Sequence, residues 1–332
     1  MPIDWIGSRQ STGLPSEGCK LFLTSGTNIP VLVIGFNRPE LTQELFIFLR
    51  KVKPQRLYFA CDGPRETSVD DEARVALVRA GIELVDWECN VKKLFQPTNL
   101  GCGKGVSAAI TWFLSEESAG IILEDDVRPS LDFFPFASEM LSRYATDNRV
   151  WSVSGLNVDP AHVVSMQKES YRFSLMPHIW GWATWARAWE AFDLDLANWQ
   201  TWLDLDDVCE RNRLPHPAKM LLQRRFSQVA SGKVDTWDIP WTARSLSANG
   251  LHVVPRWNLS QNVGIFDDPT HRGYDHALLR ETEPIQLPLI HPTDVEMDLV
   301  ADRAMLRGFF EATWLGLARK GLRRVTALLS RH

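Results

Sequence analysis

Three consecutive carboxylates, Glu124-Asp125-Asp126, follow an uncharged run, Gly120-Ile121-Ile122-Leu123, and precede Val127-Arg128-Pro129. An aliphatic run bounded by turn residues fits a strand buried on both faces, as in a sheet covered by helices. Unpaired carboxylates are too costly for such an interior. They are therefore expected at the carboxyl end of the strand, where open α/β sheets place their ligands. Oxygen donors there suit a hard divalent cation, Mn2+ or Mg2+, which would in turn hold nucleotide phosphates. The competing reading is a solvated loop whose last acid caps the next helix, and three acids alone do not choose between the two.

Other polar residues fall at matching places. Pro30 to Phe36 reads as a buried strand ending at Asn37-Arg38-Pro39, and Leu57 to Cys61 as one ending at Asp62-Gly63-Pro64-Arg65. Arg38 could contact a base or a phosphate, and Asp62 could accept from a nucleobase N–H. Taken singly, each is more often a turn residue or a salt-bridge partner. Asn99-Leu100-Gly101-Cys102-Gly103-Lys104-Gly105 lies just before an expected helix. Its glycines would let backbone N–H groups approach an anion at the helix N-terminus, with Lys104 beside it. The spacing is not that of a P-loop.

The second half is rich in tryptophan: ten of the 14 lie between Trp151 and Trp257. Most are expected in the core, since each ring buries a large area. One or two of Trp180, Trp182 and Trp237 are expected to line a cleft, because flat rings with N–H donors also pack against sugar faces. In Asp235-Thr236-Trp237-Asp238-Ile239-Pro240-Trp241 acids sit among indoles. Partial desolvation raises a carboxylate's pKa and improves it as a general base. The bland alternative makes Asp238 a helix cap ahead of Pro240. His271, in the polar stretch Asp267 to His271, could complete a metal site. A lone loop histidine usually does nothing of the kind.

The elements that must position these groups alternate. Helical spacing runs from Glu40 to Val52, Asp70 to Ala80, Val106 to Leu114 and Ala218 to Ala230; strands are expected at Ile82 to Trp87 and Leu251 to Pro255 as well as at those already named. This order implies an α/β fold with right-handed crossovers and a mixed, mainly parallel sheet flanked by helices. Residues 1–27 read as a lead-in, 28–150 as a nucleotide-binding half, 151–275 as the acceptor-side half of the same domain, and 276–332 as a C-terminal extension. From Arg303 onward that extension carries seven basic residues against one acid, Glu311. Such an amphipathic helix could rest on an anionic membrane face, hold a partner or pack on its own domain.

Composition narrows the class. The 332 residues are 45% hydrophobic and 23% charged, with a net charge of -5, which gives no case for nucleic-acid binding. The five scattered cysteines form no CxxC pair, so neither a disulfide framework nor a structural zinc site is expected. Met1 to Leu23 lacks a basic start followed by an apolar core, and no run reaches the length of a membrane span. A cytoplasmic protein is expected, at most peripheral on the inner face of a membrane.

Together these residues resemble the nucleotide-sugar glycosyltransferases of the GT-A (Rossmann-like) fold, N-acetylglucosaminyltransferase I and the hemolysin-like bacterial sugar transferases among them. The likeness covers residues 29–272. Pro30 to Arg38 is similar to that family's first strand and its nucleotide-contacting arginine, and Cys61-Asp62-Gly63 to its second strand end, whose aspartate contacts the base. Leu123 to Val127 resembles the Glu-Asp-Asp form of the DxD motif. The resemblance implies that Asp126 binds the metal while Asp125 and Glu124 lie near the ribose. Trp180-Gly181-Trp182 is similar to the aromatic turn before the acceptor region, and Trp237-Asp238 with Trp241 to the segment bearing the catalytic base. Where eukaryotic relatives have Trp-Asp-Asp-Trp, this chain has Trp-Asp-Ile-Pro-Trp, which leaves Asp235 as a rival base. The reaction that the resemblance implies is an inverting, metal-dependent transfer from a nucleoside-diphosphate sugar, UDP favoured, to a glycan or glycolipid hydroxyl. A nucleotidyltransferase acting on a sugar phosphate would have a glycine-rich loop after the first strand, where this chain has Phe36-Asn37-Arg38-Pro39. A silent sugar-binding protein is the third alternative.

Overall fold

The structure, a computed structural model, describes residues 27–264 and 280–313. Strands and helices alternate from Val31 to Glu124. In order come β1 (Val31–Gly35), α1 (Pro39–Val52), β2 (Arg56–Cys61), α2 (Asp71–Ala80), β3 (Asn90–Phe95), α3 (Gly101–Glu116), β4 (Ala119–Glu124), β5 (Val127–Pro129) and α4 (Phe133–Arg143). The second half continues with β6 (Val150–Ser154), α5 (Ala161–Met166), β7 (Tyr171–Ser174), β8 (Trp182–Trp185) and α6 (Ala186–Trp189). It closes with α7 (Leu205–Arg211), α8 (His216–Ala230), α9 (Asp238–Ser247), β9 (Leu251–Pro255), β10 (Ser260–Asn262) and α10 (Leu299–Gly308).

Eight strands form one sheet in the order β3-β2-β1-β4-β8-β6-β9-β7, and β5 pairs with β10 in a small antiparallel ribbon. β1 runs parallel to β2 and β4, β2 to β3, and β6 to β9; β8 and β7 run antiparallel to their neighbours. The fold is α/β, with a large, mixed, mainly parallel sheet flanked by helices, compatible with a Rossmann-like arrangement. Period-2 alternation shows in β1, where Val31 and Val33 join one core and Leu32 and Ile34 the other. The first core packs the sheet against α1, α2 and α4, and the second against α3 with Trp151, Trp182, Trp189, Trp237 and Trp241.

Several expectations need correction. Ile82 to Trp87 is not a strand: Gly81–Leu84 is a 3-10 turn that buries Ile82, and the third strand is Asn90–Phe95. That strand forms one edge of the sheet and is only half-buried, so it tolerates Lys92 and Lys93 where a central strand could not. Helix α3 begins at Gly101 rather than after Gly105, so the glycines lie in its first turns. Trp182 lies not in a turn but in a central strand, β8, between β4 and β6. The lead-in up to residue 26, His271 and the basic stretch beyond residue 313 lie outside the described residues. Among the described residues no helix is long and apolar enough to cross a membrane.

Candidate functional site

β1, β2 and β4 run parallel, so their carboxyl ends open on the same edge of the sheet. That edge carries Arg38, Asp62 and Glu124-Asp125-Asp126, all lining one cleft of about 340 Å³. Asn99, Gly101, Cys102 and Gly105 of the glycine-rich stretch line it too, together with Arg65 and Gln96, to which sequence reasoning gave no role. Lys104, by contrast, is exposed on α3 and lies outside the lining of this cleft.

The acids are held under tension. Asp125 is buried at 7% exposure, while Glu124 and Asp126 are half-buried. Arg38 balances them in part, its Nη1 lying 3.0 Å from Asp126 Oδ2 and 3.4 Å from Asp125 Oδ1. Burial, then the Asp126 charge, pushes Asp125 up to about 7 against the pull of Arg38. Burial raises Glu124 as well, followed by Asp126, Asp125 and Asp238. The loop itself is tied down: Arg128 donates through Nη1 to the Asp125 carbonyl at 2.8 Å and through Nη2 to Glu44 Oε2 at 2.8 Å. Pairing of β5 with β10 brings the Val263 N–H to the Asp126 carbonyl at 2.8 Å, which lays the chain after β10 over that aspartate.

Hard carboxylate oxygens with too little counter-charge are what a divalent cation would satisfy, so the donor set fits Mn2+ or Mg2+. Among the described residues no three His, Cys, Asp or Glu side chains converge as a ready cage.

Asp62 is differently engaged than expected. Its Oδ1 accepts from the N–H of Gly63 at 2.8 Å and of Leu100 at 3.0 Å. Its Oδ2 accepts from Asn99 Nδ2 at 3.0 Å and Gly101 N–H at 3.2 Å. Asp235, from the far half, accepts on Oδ1 from Gly103 N–H at 3.0 Å. The anion expected at this helix N-terminus is thus supplied by the chain's own carboxylates. The glycines make the room: a Cβ on Gly105 would stand 3.0 Å from Asp62 Oδ2, and one on Gly103 2.5 Å from Asp235 Oδ1. With these partners Asp62 is tied to the helix end while still lining the first cleft.

A second cleft, of about 350 Å³, holds Asp238, Thr236, Trp180, His178, Arg225 and the rings of Phe309 and Phe310 on its wall. Asp238 is the first residue of α9, and the Thr236 hydroxyl donates to its Oδ1. Asp235 lines neither cleft. Of the three tryptophans singled out, Trp180 lines this cleft. Trp182 and Trp237 do not: at 0% and 2% exposure they stack on each other in the core, ring centres 5.4 Å apart. Trp180 owes its place to Gly181, whose φ of +72° allows the turn into β8. The Ser260 hydroxyl then donates to the Trp180 carbonyl at 2.6 Å. The two clefts are neighbours: a Cβ on Gly101, which lines the first, would stand 2.5 Å from Asp235 Oδ2, and Asp235 directly precedes Thr236 on the wall of the second.

The class these features define is an α/β protein with an acidic cleft at the carboxyl ends of its parallel strands and a second, aromatic cleft beside it. No protein-family model and no curated protein matches the chain. Among solved structures it is similar to HddC from Yersinia pseudotuberculosis at 14% identity and a TM-score of 0.29, over 48% of this chain and 77% of that one. It is also similar to a mycobacterial protein at 12% identity and a TM-score of 0.27, over 52% of this chain and 59% of that one. Likeness at this level carries no argument about either fold or activity.

Proposed function

We propose that the protein is an inverting glycosyltransferase of the GT-A type, moving a sugar from a nucleoside-diphosphate donor, UDP favoured, to a hydroxyl of a glycan or glycolipid. The observation that supports it most is the adjacency of two unlike clefts. One presents Arg38 and three crowded acids at a sheet edge, and the other presents Asp238 among aromatic rings. Asp126, with Asp125 and Glu124 behind it, would hold a divalent cation, which supplies Lewis-acid stabilisation of the leaving diphosphate when bound. Arg38 balances the acids until then and would meet phosphate oxygens of the donor.

Asp238 is the general base of this reading. One carboxylate oxygen is fixed by the Thr236 hydroxyl, and no other hydrogen bond to that carboxylate is found among the described residues. The second oxygen can take the proton of an acceptor hydroxyl as that hydroxyl attacks the anomeric carbon on the face opposite the diphosphate. Trp180 gives the acceptor a flat apolar face. The test is transfer or hydrolysis of a nucleotide-sugar by wild type and Asp238→Asn. Loss of turnover by about 10² or more, with nucleotide affinity kept, is expected for a general base. Full turnover in the variant would remove Asp238 from the role.

A further inference from the structure

We infer that Asp235 is a positioning residue, which fastens the segment bearing Asp238 to the amino end of α3 and takes no proton itself; the inference rests on the reading of Asp238 given above. Asp235 Oδ1 accepts from Gly103 N–H at 3.0 Å. A Cβ on Gly101 would stand 2.5 Å from its Oδ2, and one on Gly103 2.5 Å from its Oδ1. Both carboxylate oxygens are therefore pressed against the first turn of a helix whose unpaired N–H groups and dipole favour an anion. Gly101 has a φ of +81°, which adds a backbone reason for glycine there.

The next residues extend the grip. The Thr236 N lies 3.5 Å from where a Gly103 Cβ would stand, and its hydroxyl donates to Asp238. Trp237 is stacked on Trp182 in the core. Asp238 thus follows Asp235 and Thr236, set against Gly103 of α3, and Trp237, stacked on Trp182 of β8, so its place is set by α3 and β8 rather than by α9 alone. The same end of α3 takes Asp62, the residue after β2, on the wall of the donor cleft. One helix terminus therefore registers the donor cleft against the acceptor cleft. Asp235 lines neither, and its carboxylate is taken up by the first turn of α3.

The test uses the purified full chain with Asp235→Ala, Asp235→Asn and Gly103→Ala, measured by nucleotide-sugar turnover and by deuterium uptake of peptides covering residues 100–106 and 233–242. Asp235→Ala and Gly103→Ala are expected to lower kcat by about tenfold or more while the donor KM stays within about twofold, the split given by a misplaced group rather than lost donor binding. Both should exchange faster at those peptides. Asp235→Asn keeps an oxygen acceptor for Gly103 N–H, so kcat within about threefold of wild type and an unchanged pH profile are expected. An Asp235→Asn protein as inactive as Asp238→Asn would overturn the inference, and so would an Asp235→Ala protein with full kcat and unchanged exchange. If wild type shows no turnover, the proposed function falls by itself and the exchange data decide the clamp: faster uptake in Asp235→Ala upholds it, unchanged uptake refutes it.

Discussion

Replacing Asp125 by Asn should stabilise the ligand-free protein, by an amount that grows with pH. Asp125 is buried and pushed up to about 7, from an ordinary value of 3.8, by burial and by Asp126. A carboxyl whose pKa is raised on folding binds its proton more tightly in the folded state, so wild-type stability falls as pH rises from about 4 to about 7. The full effect above pH 7 is about 4 kcal/mol, of which about 2 to 3 kcal/mol accrues between pH 5 and pH 8. Asparagine keeps the shape and does not titrate, so that fall is absent from the variant. The pull of the partly exposed Arg38 is already contained in that value, and at pH 5 the protonated Asp125 makes no ion pair with it. Urea denaturation in EDTA at pH 5 and pH 8, compared at equal m-values, reads the difference. The variant should gain about 2 kcal/mol on wild type between the two pH values. It should also lose cation-dependent ligand binding, the usual exchange of stability for function at a strained site. A gap that is constant with pH, or that narrows at pH 8, would refute the picture of crowded, under-compensated acids.

Two further perturbations probe the supports of the site. Gly264→Ala would place a Cβ 2.7 Å from the Cβ of Asp126, so nucleotide affinity measured by calorimetry should fall by about tenfold, or about 1.4 kcal/mol, with little change in melting temperature. Affinity equal to wild type would show that the chain after β10 does not set Asp126. Arg172 is buried and donates at 2.7 Å to both oxygens of Asp159 and to Asp302, joining β7 to α10. Asp302→Ala leaves that guanidinium short of a partner and should destabilise the fold by about 3 to 5 kcal/mol in urea unfolding. A change below about 1 kcal/mol would mean the pair is dispensable.

The first half is legible in the sequence because its strands are continuous apolar runs that end in polar turns. β1, β2 and β4 declare themselves by composition, and parallel order follows from the helices between them. β3 escapes the pattern because an edge strand with lysines on it does not look like its buried neighbours. β8 is hidden for the opposite reason: Trp182 to Trp185 is made of core residues, and its antiparallel insertion between β4 and β6 is a long-range pairing that local pattern cannot show. The acidic triplet stands out through the physical conflict between charge and a buried run. The partners of Asp62 and Asp235 do not, since the amides that hold them come from a helix 38 and 132 residues away in the chain. The alternating glycines at 101, 103 and 105 are the one available signal. In the sequence they suggest space for a ligand's anion, and in the fold they are space for the protein's own carboxylates.

The most direct test of the central claim is calorimetric titration of UDP, GDP and CDP into the purified protein with Mn2+, then with EDTA, and again with Asp126→Ala. The account predicts that one nucleotide, UDP foremost, binds with a requirement for both the cation and Asp126. Absence of binding by any of the three, or binding indifferent to EDTA and to the loss of Asp126, would contradict it.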